Sequence, residues 1–83
     1  MIVVKQIFER KEVLPYLGKH DLLDQYKKVK KYILSGNIFQ SRLKKRQPKK
    51  DSIWYFRINK QYRAIGYIDD DSNLIVVEID NHQ

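Results

Sequence analysis

The sequence contains few of the residues that cross-link a chain or interrupt its helices and strands: it has no cysteine, two prolines and three glycines in 83 residues. Without cysteine it forms neither a disulfide nor a thiolate metal site, which fits a reducing compartment. No apolar stretch approaches the roughly 20 residues that span a bilayer, and the first apolar run ends at Lys5. We therefore expect a cytoplasmic protein with one domain over residues 1–83.

Acidic residues are also scarce, and they are unevenly placed. Seventeen Lys and Arg stand against ten Asp and Glu, which gives a net charge of +7. Residues 41–50 hold six of the basic residues and no acid, whereas half of the acids lie in 69–80. Positive charge can serve solubility alone, but charge clustered in this way favours a basic face that binds a polyanion or an acidic protein.

Hydrophobic periodicity predicts two helical segments near the start of the chain. Residues 9–17 have helical character, but Pro15 limits them to a short helix or helical turn. The second helix carries an apolar stripe, with Asp21 as its N-cap and residues 35–37 as its C-cap. The stripe consists of Leu22, Tyr26, Val29 and Ile33. The lysines between 27 and 31 fall mostly off this stripe and are best explained as a solvated helix face.

The remaining segments predict β-strands and a small α+β fold with the order β-α-α-β-β-β. A first strand covers residues 2–8, and a three-stranded antiparallel meander follows the helices. Its strands cover 53–58, 61–68 and 74–80, with a tight turn at Asn59 and Lys60 and a longer acidic turn at 69–73. Before the meander an extended segment should anchor in the core through Ile38, Phe39 and Leu43, and Trp54 and Phe56 are also predicted core residues.

Two arginines in this meander have no obvious structural purpose. Arg57 and Arg63 lie in WYFRINKQYRAIGY, where a sheet built for stability alone favours valine or threonine. A turn with only Asn59 and Lys60 at its tip would pair Arg57 with Tyr62 and send the arginines to opposite faces, although a longer turn or a bulge would change that pairing. The simpler explanation is that both face solvent and pair with Asp69 or Glu78.

The segment FRINKQYRAIGYIDDDSNLIVVEIDNHQ resembles the C-terminal half of RelE/ParE-superfamily toxins of bacterial toxin–antitoxin pairs, and it is most similar to their YoeB-like branch. The shared features are an aromatic–arginine strand, a tight turn, a second arginine, an acidic turn, an apolar strand and a terminal histidine. The resemblance covers the order of elements over the whole chain and residues over its last third. It implies a sheet backed by two helices, with a cleft on the open face, and an enzyme that cuts mRNA in the ribosomal A site without a metal or another cofactor.

The resemblance also implies catalytic residues. Arg63 matches the family's phosphate-binding arginine, and His82 matches a histidine that some branches use as general acid, although so close to a chain end it would otherwise be read as a solvated side chain. Lys44 and Lys45 lie near the positions of active-site lysines. These residue types suit the chemistry, because a guanidinium holds two phosphate oxygens and an imidazole donates a proton near neutrality.

Further residues are expected to bind RNA. Arg57 matches a strand arginine that lines the family's active surface, and the basic segment adds Arg46, Lys49 and Lys50 as phosphate contacts. Tyr67, with Tyr55 or Tyr62, is suited to stacking on an unpaired base.

The sequence departs from the family at three positions. Ser41 stands near the place of the catalytic glutamate of YoeB-like members, Gln83 replaces a terminal tyrosine, and Gly66 replaces an aromatic residue. The general base is therefore unassigned.

The expected partners are mRNA, the ribosome and a cognate antitoxin whose acidic or amphipathic segment wraps the cleft, and no membrane is involved. Two alternatives remain open: a ParE-like inhibitor of DNA gyrase, and a member that binds its antitoxin or nucleic acid without catalysis.

Overall fold

The computed structural model describes residues 3–37, 43–46 and 52–81, which form one mixed sheet with two helices packed on one face. In chain order the elements are β1 (Gln6–Glu9), α1 (Val13–Lys19), α2 (Leu23–Leu34), β2 (Lys44–Lys45), β3 (Trp54–Arg57), β4 (Tyr62–Ile68) and β5 (Asn73–Asn81). The strands lie side by side in the order β1-β5-β4-β3-β2. β1 runs parallel to β5, and the other neighbouring pairs are antiparallel.

This architecture confirms the predicted α+β class and, in outline, the order of elements. Within residues 3–37, 43–46 and 52–81 the sheet has five strands rather than a three-stranded meander, because β1 pairs with β5 and the two-residue β2 pairs with β3. The first strand covers Gln6–Glu9 instead of residues 2–8, so Glu9 belongs to a strand and not to a helix. Helix α1 begins at Val13, which puts Pro15 in the first turn, where a missing N–H breaks no helical hydrogen bond.

The connection between the helices corrects one predicted cap. Asp21 has a positive φ of 57°, and the N–H of Leu22 donates to the carbonyl of Leu17 at 2.8 Å. Asp21 therefore occupies the left-handed position that closes α1, and it is not the N-cap of α2. The predicted end of α2 is confirmed, since Gly36 has φ 89° and the N–H of Asn37 donates to the carbonyl of Tyr32 at 2.8 Å.

The core lies between the helices and one face of the sheet. Leu17 is 0% exposed, and Tyr26 packs on Phe56 with 5.9 Å between ring centroids. Leu43 and Phe56 are buried as predicted, and Trp54 packs half-buried against the same cluster. Ile38 and Phe39 lie outside the described residues. Within the described part of the chain, no helix is long and apolar enough to cross a membrane.

A polar contact is built into the edge of this core. The hydroxyl of Tyr26 donates to a carboxylate oxygen of Glu9 at 2.7 Å, and the ammonium of Lys30 lies 2.9 Å from the same oxygen. Burial, and next the hydrogen bond to Glu9, raise the pKa of Tyr26 far above the ordinary value of a tyrosine. The contact ties β1 to α2.

Tyr26 should therefore make stability sensitive to alkali. Its folded-state pKa is raised, so its contribution is complete below the unfolded-state pKa of about 10 and declines above it by up to ~1.4 kcal/mol per pH unit. At pH 7, Tyr26→Phe should cost about 1.5–3 kcal/mol, because a hydrogen bond to a carboxylate is lost. Urea unfolding between pH 8 and 11 should show this difference shrinking above pH 10. If the difference in free energy of unfolding between the wild type and Tyr26→Phe stayed constant from pH 8 to 11, Tyr26 would not be the cause of the loss of stability in alkali.

Candidate nucleic-acid interface

The β3–β4 hairpin places Arg57 and Arg63 directly opposite each other. The prediction that they project to opposite faces is wrong, because the loop is longer than two residues. The N–H of Ile58 donates to the carbonyl of Tyr62 at 2.9 Å, and the side-chain oxygen of Asn59 accepts the N–H groups of Gln61 and Tyr62. Residues opposed in an antiparallel pair share a face, so both guanidinium groups stand on the same side of the sheet.

That side is the one that neither helix covers, and we call it the open face. Phe56 and Ala64, which alternate with the two arginines along β3 and β4, are buried in the core on the other face. The guanidinium carbon of Arg63 lies 5.3 Å from the ring centroid of Tyr55, which is cation–π distance. Arg63 and Tyr55 therefore share the open face.

The arginine pair is unfavourable for folding alone, because like charges directly opposite each other destabilise a sheet. Among the described residues, neither Arg57 nor Arg63 has a carboxylate within the 4.0 Å of an ion pair. Asp80 is opposite Arg63 on β5, yet the guanidinium lies over Tyr55 instead. Two neighbouring positive charges are thus left for an external anion.

The two carboxylates expected to pair with the arginines, Asp69 and Glu78, do not form ion pairs with them. Asp69 accepts hydrogen bonds from the N–H groups of Asp71 and Asn73, each at 2.9 Å, and so closes its own turn. The bond from Asn73 is the main reason that the pKa of Asp69 is lowered. Glu78 lies opposite Ile65, one row away from the arginines. The predicted pairing of the arginines with Asp69 or Glu78 is therefore wrong for the structure.

A β-bulge between β4 and β5 changes which residues of β5 reach the open face. Ile65 is opposite Glu78, but its neighbour Gly66 is opposite Val76, so Val77 is an additional residue in β5. Strict alternation from the buried Leu74 and Val76 would turn Glu78 and Asp80 toward the helices. After the bulge, Ile79 packs against the core, and the two carboxylates stand on the open face.

Gly66 is the residue that permits this bulge. A Cβ atom built on Gly66 would collide with the carbonyl oxygen of Ile75 and would lie 2.8 Å from its carbonyl carbon. Only glycine allows the two backbones to approach so closely. The glycine at this position therefore has a structural reason in this chain.

Beside the arginines the open face forms a groove of about 440 Å³. Arg46 stands at one wall, where its N–H donates to the carbonyl of Ile53 at 2.6 Å and continues the pairing of β2 with β3. Tyr67, 42% exposed, contributes an aromatic surface. The lining residues are Arg46, Ser52, Ile53, Ile65, Gly66, Tyr67, Ile68, Val77 and Glu78.

The structure brings together part of the predicted site. Lys44 pairs with Tyr55 and therefore joins Arg57 and Arg63 on the open face, and Arg46 and Tyr67 line the adjoining groove. His82, Lys49 and Lys50 lie outside the described residues, as do Ser41 and Gln83.

Lys45 and Tyr62 do not join this group. Lys45 pairs with Trp54, which packs against the core, so it stands on the helix-covered face and cannot share a site with Lys44. Tyr62 lies on the same covered side, where its ring centroid is 6.4 Å from that of Tyr16 and 5.8 Å from that of His20. Tyr62 is therefore unsuited to stacking a base at the arginines.

From the sequence, Glu78 is expected only as an ion-pair partner of the arginines, and Asp80 is not expected as a residue of this face. The segment LIVVEID contains a signal for the position of Glu78, because uniform alternation from Leu74 would bury a carboxylate among apolar side chains. Such burial costs several kcal/mol. The free energy of unfolding of an ordinary domain is only about 5–15 kcal/mol. A break in the alternation is the less costly solution, and it turns Glu78 outward.

No protein-family model matches this sequence, and no curated protein is significantly similar to it. The resemblance to RelE/ParE toxins thus stays an expectation from the sequence.

Proposed function

We propose that the protein is the toxin of a toxin–antitoxin pair and a metal-independent endoribonuclease of the RelE type, acting in the cytoplasm on ribosome-bound mRNA. The observation that carries the proposal is the opposed pair Arg57 and Arg63 on the open face, with no carboxylate in ion-pair distance among the described residues. Such a pair weakens the sheet and binds a phosphodiester well, so its value lies in function.

The chemistry needed is attack of a ribose 2′-hydroxyl on the adjacent phosphate. The transition state gathers negative charge on the non-bridging oxygens, and positive groups held in place before reaction stabilise it most. Arg63 would hold two of these oxygens, Arg57 would supply the second positive charge, and Lys44 would add a third from the neighbouring row. His82 would protonate the leaving 5′-oxygen. None of these steps requires a metal.

The surroundings of the arginines suit a single RNA strand. Tyr55 and Tyr67 both stand on the open face and offer surfaces for unpaired bases, which stack on aromatic rings for about 1–3 kcal/mol each. Arg46 at the groove, with Lys49 and Lys50, would hold flanking phosphates. A cognate antitoxin would inhibit the enzyme by covering this face with an acidic or amphipathic segment.

Cleavage in a translating extract tests the proposal. The protein should cut a reporter mRNA and leave a 2′,3′-cyclic phosphate and a 5′-hydroxyl, because the 2′-oxygen is the nucleophile. Cutting should continue after EDTA is added, provided that spermidine keeps the ribosomes intact. The matched control is Lys28→Ala, which removes one positive charge from the solvent side of α2.

Two outcomes would contradict the nuclease. Intact mRNA together with trapped gyrase–DNA breaks would identify a gyrase inhibitor. Intact mRNA without such breaks, with RNA or antitoxin still bound, would identify a non-catalytic member.

A further inference from the structure

The carboxylate of Glu78 stands exposed on the open face, in the wall of the groove. Among the described residues it has no hydrogen-bond or ion-pair partner. It shares its row of the sheet with Lys44, Tyr55 and Ile65. The carboxylate is therefore accessible to a ligand that binds on this face.

Glu78 lies at a useful distance from the arginines. Arg63 is opposite Asp80, so Glu78 is its diagonal neighbour, and such neighbours stand about 7–8 Å apart at their backbones. Both side chains are long enough to reach one nucleotide from opposite ends. Arg63 can hold the phosphate while Glu78 meets the adjacent ribose.

The bulge is what gives Glu78 this position. Bulges often re-aim a side chain beside a functional site, and here the bulge requires a glycine and an unpaired residue in the longest strand. Without it, Glu78 would face the helices. The backbone irregularity and the exposed carboxylate are thus two observations that point to the same residue.

We propose that Glu78 is the general base of the cleavage reaction, an inference that rests on the proposed nuclease function. Its carboxylate takes the proton of the 2′-hydroxyl as the 2′-oxygen forms its bond to phosphorus. The bond from phosphorus to the 5′-oxygen breaks, and that oxygen leaves with a proton from the general acid. The products are a 2′,3′-cyclic phosphate and a 5′-hydroxyl, so atoms and charge balance without another reactant.

Other groups on this face fit the role less well. A carboxylate accepts a proton directly, whereas the ammonium of Lys44 must first lose one. Asp80 is directly opposite Arg63 and does not line the groove, so it stands next to the phosphate position rather than to the ribose.

The test uses the intact protein and ribosome-bound mRNA under single-turnover conditions. Glu78→Gln keeps the size of the side chain and removes the base, so the maximal single-turnover rate should fall by about 10²–10⁴-fold, with little change in the protein concentration that gives half of that rate. Glu12→Gln removes the same charge from an exposed position just before α1, and this variant should cleave like the wild type. Thermal unfolding of each variant checks that the fold is retained.

A substrate with sulfur in place of the bridging 5′-oxygen separates the base from the acid. A thiolate leaves without being protonated, so this substrate should restore the rate of His82→Ala and leave the defect of Glu78→Gln unchanged. If the wild type cleaves RNA and Glu78→Gln is equally active, Glu78 is not the base. The same conclusion follows if the sulfur substrate rescues Glu78→Gln. Either outcome leaves the proposed nuclease function standing. A wild-type protein that cuts no RNA would overturn the proposed function and this inference together.

Discussion

Replacing Arg63 by alanine should slow mRNA cleavage by about 10²–10³-fold, which is the usual loss when one donor to a transition-state oxyanion is removed. Arg63→Lys should recover little, because an ammonium is a point charge and does not hold two oxygens in a plane. Arg57→Ala should also lower the rate, since the same phosphate loses its second positive contact. Single-turnover cleavage of ribosome-bound mRNA gives these numbers directly, with Lys28→Ala as the control for net charge.

The stability of the same variants distinguishes a functional pair from a structural one. Removing Arg57 relieves the repulsion across the β3–β4 ladder, so Arg57→Ala should be as stable as the wild type or more stable by about 0.2–1 kcal/mol. Arg63→Ala relieves the same repulsion but also loses the contact with the Tyr55 ring, so its gain in stability should be smaller. Urea unfolding measures both effects. Variants that lose stability and keep full cleavage would show that the arginines serve the fold.

Gly66→Ala should be the most damaging of the three glycine-to-alanine substitutions in this chain. The new methyl group meets the backbone of Ile75, which cannot move without breaking the β4–β5 ladder. Overpacking against backbone costs about 3 kcal/mol or more, a large fraction of the 5–15 kcal/mol that stabilises an ordinary domain. We expect urea unfolding, followed by circular dichroism, to give a free energy of unfolding lower than that of the wild type by about 3 kcal/mol or more.

The other two glycines are matched controls for this result. Gly36 has a positive φ of 89° with open space around it, so Gly36→Ala should cost about 1 kcal/mol through backbone strain alone. Gly18 is helical, and its nearest contact would be an ordinary 3.6 Å to Leu23, so Gly18→Ala should stabilise by about 0.5–1 kcal/mol. A Gly66→Ala variant as stable as the wild type would contradict both the bulge at Gly66 and the outward position of Glu78.

Local sequence patterns predicted those elements whose signal lies within a few residues. The apolar stripe of α2 and its glycine-containing end are of this kind, and both are confirmed. So are the three strands of the hairpin region to within one or two residues, since alternation and turn residues mark them. The parallel pairing of β1 with β5 could not be predicted, because it joins segments more than 60 residues apart with no shared local pattern.

The candidate site was harder to predict, because it depends on registers. One side chain, Asn59, lengthens the hairpin loop and so brings Arg57 and Arg63 to one face. One glycine, Gly66, admits the bulge that turns Glu78 outward. In a sheet, a shift of one residue exchanges the two faces, so small local choices decide which functional groups meet.

RNA should bind the open face at the arginine pair. The most direct measurement is a titration of ¹⁵N-labelled protein with a short single-stranded RNA whose 2′-hydroxyls are methylated, so that it binds and cannot be cut. Amide shift changes should be concentrated at Tyr55, Arg57, Arg63, Tyr67 and Glu78, with little change along α2. Shift changes confined to the lysines of α2, with the open face unaffected, would contradict RNA binding at the arginine pair.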